Sequence, residues 1–257
     1  MIVKSASKTE LDRDAFGHML MDYLNGINAV EIIERDDHFI SYSSMGPRTY
    51  FADFPDWPDH HKEAIRRLVP GRILDLGCGA GRLELHLQSQ GCQITGIDNS
   101  PLAIEVCRRR GVLDVRLLSV TQVSAAAGIY DNIVMFGHNW GLMSSARRAR
   151  WFLRKFHGMT SPQARIIAES NDVNNTEDPD HLRYQAFNLS RGRLSGQLRI
   201  RVRYRAFVGE WFDYLMVSRD EMQTIVEGTG WRIREFIDSE RTSYVAIMEK
   251  EKPFRSG

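Results

Sequence analysis

The chain has 257 residues, 42% of them hydrophobic and 26% charged, and its 34 Lys and Arg against 33 Asp and Glu leave a formal charge of +1. At roughly 150 residues per domain this is one decorated domain or two small ones, long enough to bury a core without a disulfide or metal staple. The near-neutral balance provides no global field for polyanions, which argues against a dedicated nucleic-acid binder, and the composition excludes disordered and fibrous chains.

Three cysteines, Cys78, Cys92 and Cys107, are too few and too far apart for a disulfide scaffold or a paired-cysteine zinc site. They read as reduced thiols of a cytoplasmic protein. Residues 1–14 lack the apolar core of a signal peptide, and nowhere is there the run of about 18 apolar residues that a membrane span needs.

Residues 11–24 carry Leu11, Ala15 and Met19 at helical spacing, with Phe16, Leu20 and Leu24 beside them, which predicts one amphipathic helix ending near Gly26. Residues 29–34 and 39–43 flank Arg35-Asp36-Asp37-His38 as a short hairpin. Residues 45–61 are dense in Pro and aromatics without a period. They read as a loop leading into a helix that starts near Pro58 and stops before Pro70-Gly71. From Arg72 the texture changes to strand 72–76, helix 82–90, strand 93–97 and helix 101–110, the last with Ser100 as its cap and Pro101 at its first position. Strands 115–118 and 132–136, helix 144–157 and strand 165–169 follow. This alternation predicts an α/β fold with a largely parallel sheet and right-handed crossovers. Residues 171–180 are polar and turn-rich. Residues 197–207 and 210–217 alternate as two strands joined across Val208-Gly209, and a helix at 220–227 precedes an antiparallel pair at 231–237 and 243–249. The expected organisation is an N-terminal cap and lid (1–60), a cofactor-binding core (61–170), a hairpin insertion on the substrate side (171–217) and the remainder of the core (218–257).

The informative stretch runs from Arg72 to Asp98, where an apolar strand enters Gly77-Cys78-Gly79-Ala80-Gly81 and a helix starts at once. Glycines let backbone approach a ligand and adopt unusual dihedrals, and the helix start offers free N–H groups. A second strand ends in Asp98, whose carboxylate can accept hydrogen bonds from ribose hydroxyls. An adenosine-containing cofactor is implied. The loop is G-x-G-x-G preceded by the acidic Asp75, unlike the G-x-G-x-x-G of dinucleotide sites, and no G-K-[ST] follows as in a phosphate-binding loop.

The run Asp75-Leu76-Gly77-Cys78-Gly79-Ala80-Gly81, with Asp98 closing the next strand, resembles the signature of class I S-adenosylmethionine-dependent methyltransferases. The resemblance implies a Rossmann-like, seven-stranded, mostly parallel sheet with an antiparallel last strand. It implies that Gly77, Gly79 and Gly81 contact the amino-acid part of S-adenosylmethionine, that Cys78 between them is a further cofactor contact, that Asp75 anchors that region, and that Asp98 holds the ribose. Asn99 would lie beside the adenine. Many members carry an acidic residue at the end of strand three; here that position reads Leu118-Ser119-Val120, leaving Ser119 as its substitute. In many members the segment before the core folds over the cofactor, which makes Tyr50 the preferred contact among Tyr42, Tyr50, Phe51, Phe54 and Trp57, unless these rings only pack the cap. The product would be S-adenosylhomocysteine.

Ligands of open α/β sheets lie beyond the strand carboxyl ends. Strand four ends in Gly137-His138-Asn139, with Gly137 a further cofactor contact and His138 a candidate general base or a loop-bonded residue that shapes the pocket. Asn139 has the same two readings. Glu169 and Asp172 end strand five and would bind a substrate amine or cap loops. No [DNSH]-P-P-[YFW] element follows strand four, which disfavours amino-methylation of DNA adenine by that scheme. Arg199, Arg201, Arg203 and Arg205 share one strand face, to bind phosphate or carboxylate, or to be neutralised by Glu210, Asp213 and others. The hairpin could also mediate a homodimer. The Arg108–Arg110 run suits a helix end without any partner. The resulting expectation is methyl transfer to a small molecule at O, N or C. The alternatives are an RNA or protein methyltransferase using the arginine face, and a non-methylating cofactor-binding protein.

Overall fold

The computed structural model describes residues 7–43, 46–125 and 128–251. The part of the leader reading that rests on residues 1–6, the start of the aromatic loop at Met45 and the chain end past Glu251 lie outside them.

Helix α1 (Lys8–Asp12) is closed by a capping box in which the Ser7 hydroxyl accepts the Glu10 N–H and the Glu10 carboxylate accepts the Ser7 N–H. Helix α2 (Ala15–Leu24) starts afresh on Asp14, whose carboxylate accepts the Gly17 N–H at 2.9 Å. The single helix expected over residues 11–24 is therefore two, because Asp14 takes over the backbone as a cap in mid-pattern. The same buried carboxylate accepts the Ser100 hydroxyl at 2.8 Å and the Leu102 N–H at 3.0 Å, tying α2 to the helix that begins at Pro101.

Strands β1 (Glu31–Arg35) and β2 (Ile40–Ser43) form the expected hairpin, Glu31 opposite Ser43. The stretch read as loop holds helix α3 (Gly46–Phe51) and a 3-10 turn at Phe54–Asp56. Its aromatics have no helical period; the helix is held because Tyr50 and Phe51 pack on the buried cluster around Met19, Leu20 and Tyr204. Helix α4 (Asp59–Ile65) follows.

The alternation then appears as read: β3 (Ile73–Leu76), α5 (Arg82–Ser89), β4 (Ile94–Asp98), α6 (Pro101–Arg109), β5 (Val115–Leu117), β6 (Tyr130–Met135), α7 (Ala146–Gly158) and β7 (Thr160–Asn171). Helix α8 (Pro179–Ser190), unassigned from sequence, begins where Asp178 accepts the Asp180 and His181 N–H groups and Pro179 takes the first position. The remaining elements are β8 (Gln197–Tyr204), β9 (Phe207–Val208), β10 (Phe212–Leu215), α9 (Arg219–Val226), β11 (Trp231–Asp238) and β12 (Ser243–Lys250). The chain turns back at Arg205 (φ 51°), with Tyr204 opposite Phe207, and not at Val208-Gly209. Arg205 holds a left-handed conformation usually left to glycine, and its guanidinium lies 3.2 Å from Asp22.

Seven strands form one sheet in the order β11-β12-β7-β6-β3-β4-β5. Strands β4 and β5, and β6 and β7, run parallel, and β12 is antiparallel to both neighbours. This is the expected mostly parallel sheet with an antiparallel last strand. A second sheet has the order β10-β8-β1-β2, with β9 on β8. The insertion strand thus pairs with the N-terminal hairpin, and Glu34 of β1 sits directly opposite Arg201 of β8.

The chain divides into two compact units, Met1–Trp57 with Asp75–Gln122 and Arg199–Phe212, and Pro58–Leu74 with Val123–Leu198 and Asp213–Gly257. The first buries α2 against α6. The second buries Trp140, Phe152, Phe156, Trp231 and Tyr244, with the Trp231 indole donating to the Leu153 carbonyl at 2.9 Å. Among the described residues no helix is long and apolar enough to cross a membrane.

Candidate functional site

In the first unit, the buried strand β3 delivers Asp75 and Leu76 to a loop in which Gly77, Gly79 and Gly81 all have positive φ (85°, 55° and 78°). Only glycine takes these conformations freely, which is the reason for the G-x-G-x-G spacing. The Gly77 and Cys78 N–H groups donate to the Ile97 carbonyl at 2.9 and 3.0 Å, lashing the loop to β4. A Cβ on Gly81 would meet Val112 at 2.6 Å, and one on Gly79 would meet the Tyr50 ring at 3.3 Å. Tyr50 therefore lies against the glycine loop, its hydroxyl donating to Glu31 at 2.7 Å and its ring edge-on to Phe16. Arg110, read as a simple helix end, also donates to the Ala80 and Phe51 carbonyls and so ties α3 to the loop.

Asp98, 9% exposed, ends β4. One carboxylate oxygen accepts the Gly79 N–H at 3.1 Å and the other the Ser100 N–H at 2.9 Å. Burial pushes this carboxyl up to about 6, against the pull of those two N–H groups, with Asp14 adding to the rise. Burial likewise lifts Asp75 to about 7. Glu84, fully buried in α5, is raised well above its ordinary range by burial and then by Asp75. Glu84 was not singled out from sequence; an acidic residue on the buried stripe of a helix is the signal that marks it. The Cys78 side chain turns into a small core with Ile104, Cys107 and Val112. Asn99 is exposed, and Ser119 lies in the turn after β5 with its hydroxyl 3.0 Å from that of Thr121.

The second unit gathers a different cluster. Glu169 of β7, 3% exposed, accepts the N–H groups of Gly137 at 2.5 Å and His138 at 3.2 Å on one carboxylate oxygen. That oxygen lies 2.9 Å from His61 Nε2, and the other lies 3.2 Å from His60 Nε2 and 3.6 Å from His138 Nε2. Burial would raise the Glu169 carboxyl, but His61, His60 and His138 outweigh it and hold the group well below the usual carboxylate range. His138 has φ 63°, its Nε2 is 2.8 Å from the Ser243 hydroxyl, and its carbonyl accepts from Tyr214 at 2.6 Å. Of the residues ending strand five, Glu169 anchors this cluster while Asp172 caps a turn through the Asn174 N–H.

Residues 73–163 match a family described as a methyltransferase domain. A ubiquinone biosynthesis O-methyltransferase from Xanthomonas axonopodis pv. citri is 32% identical over 106 residues, covering 36% of this chain and 44% of that protein. The chain thus spans less than half the length of this curated relative. An S-adenosylmethionine-dependent methyltransferase from Bacteroides fragilis, solved with S-adenosyl-L-homocysteine, superposes with a TM-score of 0.79 at 23% identity, covering 94% of this chain and 97% of that one. The CcbJ methyltransferase from Streptomyces caelestis superposes at 0.57 with 13% identity, over 79% and 98% of the two chains. Residues 73–163 are thus similar to a methyltransferase domain, and the fold is the one these solved methyltransferases share.

Within that methyltransferase fold, Asp75, Gly77, Cys78, Gly79, Gly81, Asp98, Asn99, Ser119 and Tyr50 fall in the first unit, and Gly137 and His138 in the second. The arginine face is largely neutralised, by Glu34 and Asp22. Glu34, 4% exposed, receives Arg201 at 2.7 Å and Arg203 at 3.2 Å, and Arg205 pairs with Asp22. Glu210 pairs with Arg13 instead. A strand so neutralised does not favour an RNA partner. His60 and His61 were missed from sequence because their segment read as an ordinary helix start; two adjacent histidines after Pro58-Asp59 were the available signal.

Proposed function

We propose that the chain transfers a methyl group from S-adenosylmethionine to an oxygen nucleophile of a small molecule, releasing S-adenosylhomocysteine. The observation that carries this reading is the buried Asp98 carboxylate held beside the Gly79 N–H. Its two oxygens take the Ser100 and Gly79 N–H groups, a carboxylate offers about four acceptor sites in all so that ribose hydroxyls can be accepted as well, and the glycine loop presents backbone without side chains. These residues fit the cofactor, whose sulfonium supplies the methyl group for in-line displacement. Asp98 would hold the ribose, and the glycine loop with Asp75 would receive the amino-acid end. Tyr50 would keep water from the loop. The O-methyltransferase relatives support oxygen as the acceptor atom. Calorimetric titration with S-adenosylhomocysteine tests the reading: one equivalent bound per chain is expected, and preference for a nicotinamide or flavin cofactor would overturn it.

The raised Asp98 carboxyl makes that binding pH-dependent. Hydroxyl donors favour the ionised form, so S-adenosylhomocysteine affinity should fall about tenfold from pH 7 to pH 5, as a group with a value of about 6 takes up its proton. In the ligand-free chain the sign is opposite: this group favours the fold below its ordinary 3.8 and loses that contribution as pH rises through about 6. Titrating Asp98→Asn in parallel separates it from Asp75, and an equal pH slope in the variant would remove Asp98 as the cause.

His138, whose side chain is 36% exposed, is proposed to take the hydrogen bond of the acceptor hydroxyl and align its oxygen. His138→Ala should lower kcat by about tenfold or more while leaving S-adenosylhomocysteine affinity unchanged. Unimpaired turnover would retire this role.

A further inference from the structure

We propose that His60, His61 and Glu169 form a binding site for one divalent transition-metal ion of the zinc type. The site lies within the second unit and does not depend on the cofactor reading. Its three donor atoms, two imidazole nitrogens and a carboxylate oxygen, all fall within 4.8 Å of one another. His61 Nε2 lies 2.9 Å from one Glu169 oxygen and His60 Nε2 3.2 Å from the other, so each imidazole stands at the spacing of neighbouring donors, about 2.9–3.4 Å for bonds of about 2.0–2.1 Å, from one of the two carboxylate oxygens. The donors are also preorganised. His60 and His61 come from the first turn of α4, and the His61 ring is stacked on Phe136 at 4.3 Å and 16°. Glu169 is fixed by the Gly137 and His138 N–H groups, the kind of outer support that orients a ligating carboxylate.

Donor chemistry selects the ion. Two imidazoles and one carboxylate suit zinc, cobalt or ferrous iron, whereas magnesium and calcium prefer all-oxygen surroundings. His61 and Glu169 are each 3% exposed, so these ligands are shielded, while the side chain of His138 beside Glu169 is 36% exposed. Three protein donors leave at least one position for water or for an oxygen ligand, the arrangement of reactive rather than purely structural zinc sites.

The test uses the untagged full chain, stripped with a chelator and titrated with Zn(II) by calorimetry and with Co(II) by visible absorption. One equivalent of Zn(II) and the d–d bands of a nitrogen–oxygen Co(II) site are expected. His60→Ala and Glu169→Gln should each weaken binding at least about tenfold. The His60 side chain is 10% exposed and accepts truncation more readily than His61, so its variant decides the matter if a more buried substitution fails to fold. Absence of stoichiometric binding, or binding unchanged in His60→Ala, overturns the proposal. S-adenosylhomocysteine titration of the same samples reports separately on Asp98: its failure sinks the methyltransferase reading and leaves the metal site standing.

Discussion

Asp98→Ala is expected to weaken S-adenosylhomocysteine binding by about 1–3 kcal/mol, roughly five- to 150-fold, as charge-assisted hydrogen bonds to the ribose are lost. The same substitution strips the Gly79 and Ser100 N–H groups of their acceptor, so part of the loss comes from a glycine loop that no longer holds its shape. Asp98→Asn keeps one carbonyl acceptor and should fall between the two. Calorimetric titration of the three proteins, with thermal unfolding as a control for folding, gives the ordering directly. An alanine variant that binds as tightly as the parent would remove Asp98 from the cofactor site.

Asp14→Ala should cost about 2–3 kcal/mol of stability, read from urea unfolding midpoints. An exposed helix cap loses less, about 1 kcal/mol, but this carboxylate is buried and accepts from Gly17, Ser100 and Leu102 together. Its removal leaves donors from α2 and α6 in a site with no room for compensation: a Cβ on Gly17 would already lie 2.5 Å from Ser100 Oγ and from Leu102 Cβ. A loss under about 0.5 kcal/mol would show that these donors find water or other partners.

What could be read in advance was whatever depends on neighbours in the chain. Strand β3, the three left-handed glycines, α5 and the terminal Asp98 follow one another within 27 residues, and each constrains the next through backbone geometry alone. The Ser100-Pro101 helix start is similarly local. Helix α3 was not legible because its rings are placed by burial against α2, not by a period. Helix α8 announced only its first turn, at Asp178-Pro179. The alternation along β8 gave the arginine face, but the neutralising Glu34 belongs to a strand that no local rule connects to it. The cluster of His60, His61, His138 and Glu169 draws on three separate segments, and only the fold makes them one feature.

The Glu34–Arg201 pair joins residues 167 positions apart. During synthesis β1 therefore leaves the ribosome long before the strand that completes its sheet exists. The N-terminal hairpin must wait with one edge unpaired, and closing so long a loop is the kind of step that slows folding. Pairing of β4 with β5 needs no residue beyond 117, whereas the sheet that holds β1 cannot be completed until β8 has been made.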